Sequence, residues 1–174
     1  MNFIDGVLKK KNNGYCVQFA KKYELAVPAA KEDKKLANYV DKSGGYPVCG
    51  NTEVTYFPLV EDKYKAMLEE LQKAQEFIFM EYFIIGSGVM LDQILDILKE
   101  KVKHGVVVRI IYDDFGSINA IPPHFIKEME SIGIQTRRFN PYKPMLSVIM
   151  NDRDHRKILV IDGRVAHTGG YNLS

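Results

Sequence analysis

Residues Asn151 to Ser174 have the sequence NDRDHRKILVIDGRVAHTGGYNLS, and this segment decides the predicted fold. Positions 158–161 are apolar and mostly β-branched, which is typical of a buried strand. Asp162 and Gly163 follow, and this pair between two such runs favours a tight hairpin because both turn residues need positive φ. The segment is therefore predicted to form a strand, a turn and a returning strand.

A two-residue turn would pair Lys157 with Thr168 and would bring His155 beside Gly170. Side chains alternate along a strand, so His155 and Lys157, two positions apart, are expected on one face. Asp162 lies at the far end on the other face. This placement favours a turn-building role for Asp162 over a catalytic one.

The end of the returning strand carries residues that suit an anionic ligand. Gly169 and Gly170 lack Cβ atoms, so a ligand could approach their backbone closely, and Asn172 adds an amide donor. Together with His155 and Lys157, these groups fit a phosphate.

The spacing H-x-K-x4-D at residues 155–162, followed by GG-x-N at 169–172, resembles the HKD motif of the phospholipase D superfamily. The sequence that flanks this motif is most similar to that of bacterial cardiolipin synthases. Two further segments share that similarity: EYF at 81–83 resembles the E-Y-Y/F strand of those enzymes, and VRIIYDDFGS at 108–117 resembles their VR-x3-D-x2-GS segment. The resemblance extends over roughly residues 51–174.

The resemblance implies an α/β fold, a phospholipase D-like sheet flanked by helices that forms one half of a pseudo-symmetric two-motif architecture. It also implies phosphatidyl transfer, in which two phosphatidylglycerol molecules give cardiolipin and glycerol. The candidate catalytic residues are His155, Lys157 and Asp162, and the candidate substrate-binding residues are Asn172, Gly169 and Gly170.

Neutral imidazole can attack a phosphodiester and form a phosphohistidine, with Lys157 supplying a point charge to the phosphoryl oxygens. This chemistry requires no cofactor and no metal. One histidine cannot attack from one side and protonate the leaving group on the other, so the family uses two motifs. Only His155 stands in such a motif here. Either the chain is the first half of a longer enzyme, without its amino-terminal membrane segments, or it pairs its motif in a homodimer.

Two other functions are compatible with the same residues. A single-motif phosphodiesterase, either a nuclease or a phospholipase D, would use water as the acceptor, and a non-catalytic interaction domain would keep only the fold. Intact His155, Lys157 and Asn172 argue against the interaction domain, and the cardiolipin synthase-like flanks argue against the nuclease.

The expected partners are anionic phospholipid, namely phosphatidylglycerol, the membrane surface, and a second HKD motif; nucleic acid is not expected. The chain alone is expected to turn over phosphatidylglycerol negligibly. The resemblance implies a bacterial cell-membrane location through segments outside this chain, which itself has the character of a soluble, cytoplasmic protein.

Two acidic residues are further candidates for the site. Glu81 lies inside an apolar strand, where an unpaired carboxylate would be costly, so it should have a partner. A structural role, through an ion pair or a backbone hydrogen bond, is favoured slightly over a direct catalytic role. Asp113, at the end of another predicted strand, leaves the same two alternatives open.

The remaining sequence predicts alternating strands and helices, and hence a sheet covered by helices. Residues 1–50 are interpreted as an amino-terminal extension or linker, and 51–174 as the HKD domain. The predicted helices cover 61–75, 91–102 and 122–131, and the predicted strands cover 77–85, 106–112 and 134–139.

Composition supports an ordinary globular domain with a locally basic site. The chain has 174 residues, 46% of them hydrophobic, and a net charge of +2, too small to indicate nucleic-acid binding by itself. Positions 134–165, however, hold seven basic residues against three acidic ones, which favours an anionic ligand. Cys16, Cys49 and the scattered histidines lack metal-ligand spacing.

Overall fold

A computed structural model describes residues 31–44, 52–142 and 152–174. The chain divides into two compact units, Met1–Tyr56 and Phe57–Ser174. In the described part of the first unit, helix α1 spans Lys31–Gly44. The motif lies entirely in the second unit.

The second unit alternates helices and strands and then forms a hairpin, which confirms the predicted α/β class. Its helices are α2 (Val60–Lys73), α3 (Val89–Lys103), the short α4 (Asp114–Ser117) and α5 (Phe125–Ser131). Its strands are β1 (Phe77–Tyr82), β2 (Val107–Asp113), β3 (Gln135–Phe139), β4 (Lys157–Ile161) and β5 (Val165–Thr168).

The five strands form one sheet in the order β3-β2-β1-β4-β5. β1, β2 and β3 run parallel, whereas β4 is antiparallel to both β1 and β5. Parallel neighbours need helical crossovers, and α3 and α5 separate the parallel strands along the chain, whereas a turn suffices to join the antiparallel strands β4 and β5. β1 is therefore the central strand, and it joins the parallel part to the hairpin.

Burial alternates along the central strands. Ile78 and Met80 on β1 face the core, where Ile94 and Leu98 of α3 are also fully buried. On β2, however, Val107 and Ile111 are 42% and 41% exposed. β2 therefore buries only one of its faces against the core, and Arg109 lies on the exposed face with Val107 and Ile111.

The hairpin turn has the predicted backbone conformation. Asp162 and Gly163 both have positive φ, 53° and 65°. Arg164 N donates to Ile161 O at 3.0 Å and closes the turn. The Asp-Gly pair thus forms the turn that its sequence predicts.

The predicted register of the hairpin is wrong by one residue. The ladder starts with Ile161 opposite Val165, whereas a two-residue turn would place Ile161 opposite Arg164. Thr168 consequently pairs with Ile158 and not with Lys157. One extra residue on the returning side therefore separates the turn from the ladder, a local feature that the turn sequence alone does not specify.

The carboxylate of Asp162 ties the turn to the start of β1. It accepts hydrogen bonds from the backbone N–H groups of Gln75, Glu76 and Phe77, each at 2.8 Å, and Asp162 N donates to Phe77 O at 2.9 Å. Burial alone would raise the pKa of Asp162, but the three donating amides and nearby Arg164 together hold that pKa below its ordinary value.

We predict that Asp162→Ala lowers stability, because three backbone donors lose a charged acceptor. Hydrogen bonds to charged groups contribute about 1.5–3 kcal/mol each in favourable cases, so a loss of about 2 kcal/mol is expected. Urea unfolding would measure it. The control is Asp96→Ala, which removes only an exposed ion pair to Lys99 and should change stability by less than about 0.5 kcal/mol. Equal effects of the two variants would contradict the assignment.

The pKa of Asp162 also predicts a pH dependence. A carboxylate whose pKa is depressed in the folded state stabilises the fold above its unfolded pKa, about 3.9, and loses that contribution as pH falls through the folded pKa. The wild-type advantage over Asp162→Asn should therefore be full near pH 6 and should shrink below about pH 4. Thermal unfolding midpoints of both proteins across this range would test it. A difference that stays constant down to pH 2.5 would refute the prediction.

Candidate active site

His155 lies in the extended segment immediately before β4, and its side chain is exposed. Phe83 N donates to Arg156 O at 2.9 Å, which fastens this segment to the chain just beyond β1. The imidazole packs against the Phe83 ring, with 4.7 Å between the ring centroids. An aromatic wall therefore orients the histidine while it stays accessible, as a nucleophile requires.

Lys157 is the first residue of β4 and lies opposite Tyr82 of β1. It is only 4% exposed. Its Nζ donates to His155 O at 3.3 Å and lies 5.1 Å from the centroid of the Phe83 ring. The structure thus brings His155 and Lys157 together around one aromatic side chain, which holds the ammonium as a fixed charge.

The two glycines of the motif have different surroundings. Among the described residues, a Cβ on Gly170 would meet nothing within 4 Å. A Cβ on Gly169 would lie 2.7 Å from Lys63 Nζ. The open backbone expected at both positions is therefore present at Gly170, whereas a lysine from α2 occupies the space at Gly169.

Asn172 is held by the chain that follows β1. Its Oδ1 accepts from Ile84 N at 3.2 Å, and the next residue, Leu173, donates its own N–H to Ile84 O at 3.2 Å. Leu173 is fully buried. Because the oxygen end of the Asn172 amide faces Ile84, the nitrogen end is the donor left for a ligand.

Asp162 lies at the opposite end of β4 from His155, with its carboxylate directed at backbone amides near Phe77. The geometry therefore gives Asp162 a turn-building role, as the alternation of side chains suggested. A catalytic role for Asp162 stays a prediction.

Glu81 has the partner that its position in an apolar strand requires. Its Oε1 accepts from Arg156 Nη1 at 3.1 Å. Burial raises the pKa of Glu81, nearby Asp154 raises it further, and Arg156 opposes both. Glu81 therefore orients an arginine beside His155.

Asp113 is fully buried at the end of β2 and anchors the segment that leads into His155. Its carboxylate accepts from Gly116 N at 2.9 Å, where it caps α4, and from Asp154 N at 3.0 Å. It also pairs with Arg153 at 3.5 Å. The loop predicted after β2 thus contains a short helix because the side chain of Asp113 caps it.

A pocket of about 370 Å³ opens beside His155. Charged side chains form much of its lining, and Ile111 and Phe139 contribute an apolar wall. The two arginines supply donors that suit an anionic ligand, although two carboxylates of the lining offset their charge, and the apolar wall suits a ligand with an apolar part. The lining consists of Glu81, Ile111, Phe139, Arg153, Asp154, His155 and Arg156.

Sequence reasoning missed four residues of this region. Arg153 and Arg156 were counted in the basic stretch around the motif, but nothing in the sequence indicated that they share a pocket with His155. Asp154 is buried although its neighbours in sequence are polar. Lys63 gave no signal at all, because 105 positions separate it from Thr168, whose backbone it contacts.

The described residues contain no group of three or more His, Cys, Asp and Glu side chains placed to hold a metal ion. His104 and His124 are exposed and do not line the pocket. Cys16 and Cys49 lie outside the residues that the structure describes. In the same described part of the chain, each helix is too short or too polar to cross a membrane.

The fold and the site define an α/β domain in which a hairpin carries a histidine, a buried lysine and a glycine-rich strand end beside an arginine-lined pocket. Residues 67–174 match the family model for the cardiolipin synthase, PLD-like domain. The chain belongs to this family, within the phospholipase D superfamily.

Curated relatives agree with this assignment. The chain is 38% identical over 124 residues to cardiolipin synthase 1 of Staphylococcus aureus, covering 71% of this chain and 25% of the relative. It is 49% identical over 139 residues to an uncharacterized protein of Streptococcus mutans, covering 80% and 30%. The chain thus spans less than a third of these relatives. The phospholipase D family member Nuc of Salmonella typhimurium aligns with 22% identity and a TM-score of 0.46, covering 63% of this chain and 64% of Nuc.

Proposed function

We propose that this domain takes part in phosphatidyl transfer, in which two phosphatidylglycerol molecules give cardiolipin and glycerol through a phosphohistidine on His155. The observation that carries the proposal is the pocket in which the exposed His155 shares the lining with Arg153 and Arg156. The cardiolipin synthase relatives supply the class of substrate. The active protein would work at the membrane surface, where its lipid substrates reside.

In the first step, an imidazole nitrogen of His155 attacks the phosphorus of one phosphatidylglycerol. A P–N bond forms, the bond from phosphorus to the glycerol oxygen breaks, and glycerol leaves after it takes up a proton. The imidazole of His155 is exposed beside Phe83 and is therefore accessible to a substrate.

Positive charge and hydrogen-bond donors must gather around the phosphoryl group as its charge develops. Arg153 and Arg156 lie in the pocket, and the carboxylates of Asp113 and Glu81 orient them. Lys157 adds a charge fixed behind His155. These groups provide the electrostatic stabilisation that a metal ion would otherwise supply.

In the second step, a hydroxyl of the second phosphatidylglycerol attacks the phosphohistidine. The P–N bond breaks, and the hydroxyl loses its proton to a base. Proton donation to glycerol requires a group on the side of phosphorus opposite His155, so the proposal includes a second HKD motif from the same polypeptide or from another copy. Hydrolysis by a single-motif homodimer would differ only in the acceptor, water.

We predict that His155→Ala lowers turnover of phosphatidylglycerol by at least about a thousand-fold, because it removes the nucleophile. Lys157→Met should also abolish most activity. Methionine is preferable to alanine at this position because Lys157 is buried, and methionine removes the charge while it keeps most of the volume. The assay would use the protein at its natural length with phosphatidylglycerol vesicles, and mass spectrometry would identify the products.

Lys127→Met is the matched control, since it removes an exposed lysine from α5 and should leave turnover unchanged. Cardiolipin and glycerol as products would support the transferase. Phosphatidic acid and glycerol as products would indicate hydrolysis instead. Full activity in His155→Ala would contradict both assignments.

We further predict that turnover does not require a divalent metal, because side chains supply the positive charge. Dialysis against excess chelator should leave His155-dependent activity within about twofold of the untreated protein, at matched ionic strength. Monovalent salt would serve as the control for the effect of surface charge on lipid binding. Loss of activity that one specific metal restores would overturn the prediction.

A further inference from the structure

Lys63 of α2 reaches across to the strand end that carries the glycines. Its Nζ donates to Thr168 O at 2.7 Å. The same ammonium lies 4.7 Å from the centroid of the Tyr171 ring. One side chain therefore contacts the chain on both sides of the pair Gly169-Gly170.

The absence of a side chain at Gly169 makes this contact possible. A Cβ there would lie 2.7 Å from Lys63 Nζ, much closer than a normal contact, whereas a Cβ on Gly170 would meet no described atom within 4 Å. The φ of Gly169 lies outside the left-handed region, so its backbone does not itself demand glycine. A side chain at position 169 would therefore displace the Lys63 ammonium from its present place.

We propose that Lys63 is a positioning residue, which holds residues 168–171 so that Gly170 and Asn172 are presented to the phosphoryl group. This inference rests on the proposed function and, in addition, on the substrate-binding role that the family resemblance implies for Gly170 and Asn172. Lys63 itself lies before residue 67, where the family match begins.

The segment is held from two sides, and Lys63 supplies one of them. After Asn172, the buried Leu173 forms a bridge to Ile85. Before Asn172, the ladder of β5 ends at Thr168, so the backbone between these points depends on other contacts. Lys63 supplies a hydrogen bond at the start of this interval and a cation–π contact to Tyr171 near its end.

The Lys63 ammonium is partly buried, whereas most surface lysines keep theirs in water. Burial lowers the pKa of Lys63, since a carbonyl and a ring replace part of its water. Lys65, two positions along the same helix, is exposed instead. Lys65→Met is therefore the matched control for Lys63→Met.

The test compares wild type, Lys63→Met, Lys65→Met, Gly169→Ala and the double variant Lys63→Met/Gly169→Ala, all in the protein at its natural length. Turnover would be measured with phosphatidylglycerol vesicles and with a water-soluble chromogenic phosphodiester. Because the positioned donors act mainly in the transition state, Lys63→Met should lower kcat about ten-fold with KM within about twofold. Lys65→Met should match wild type.

Gly169→Ala should reproduce the loss, because its methyl group displaces the ammonium from Thr168 O. In the Lys63→Met background the same methyl group meets no ammonium, so the double variant should be no worse than about twofold below the single ones. Losses that multiply, or a rise in KM with kcat unchanged, would overturn the positioning role.

Thermal unfolding midpoints of the same variants separate this inference from the proposed function. If wild type turns over neither substrate, the proposed function fails, and the midpoints alone decide whether Lys63 holds the segment. A double variant no less stable than the weaker single variant would support the contact between Lys63 and residue 169. Additive shifts in the midpoint would refute it.

Discussion

The fold and the site both depend on the hydrogen bonds between the Asp162 carboxylate and the backbone at the start of β1. These bonds fix the turn against the central strand, and the antiparallel register then places Lys157 opposite Tyr82. A shift of one residue in that register would move every side chain of β4 to the other face of the sheet. A residue at the far end of β4 can therefore control the site without touching a substrate. In this chain, the position of Asp162 five residues after Lys157 thus has a structural reason.

Local sequence patterns predicted the elements well because each element is specified by its own residues. Apolar periodicity located α2 and α3, and the Asp-Gly pair located the hairpin turn with its positive φ values. The register of the hairpin was harder to predict. Arg164 lies outside the ladder, and its exclusion depends on how the whole ladder forms beyond the turn. The contact of Lys63 with Thr168 was beyond prediction, since it requires knowing how α2 packs against the hairpin. Structure that depends on residues close in sequence was thus predicted, whereas contacts between residues distant in sequence were not.

Charged side chains of both signs line the pocket, and the ion pairs between arginine and carboxylate have a physical effect. Arginine side chains are long and mobile, so an anion site built from them alone would lose conformational entropy on binding. Asp113 holds Arg153, and Glu81 holds Arg156, so part of that entropy is lost during folding. The carboxylates also reduce the net positive charge. Burial and nearby Asp154 raise the pKa of Glu81, and Arg156 opposes that rise.

The position of His155 constrains where a proton donor can stand. In an in-line displacement at phosphorus, the nucleophile and the leaving oxygen lie on opposite sides, so one imidazole cannot serve both. Phe83 covers one side of the His155 ring, and the pocket lies on an accessible side. In the proposed mechanism, with His155 as the nucleophile, the donor must therefore face His155 across the phosphoryl group. Glu81 is held by Arg156 on the same strand pair as the segment that carries His155, so it is poorly placed for that task. The same constraint applies whether the donor comes from another part of the polypeptide or from a second copy, because it follows from the direction of attack.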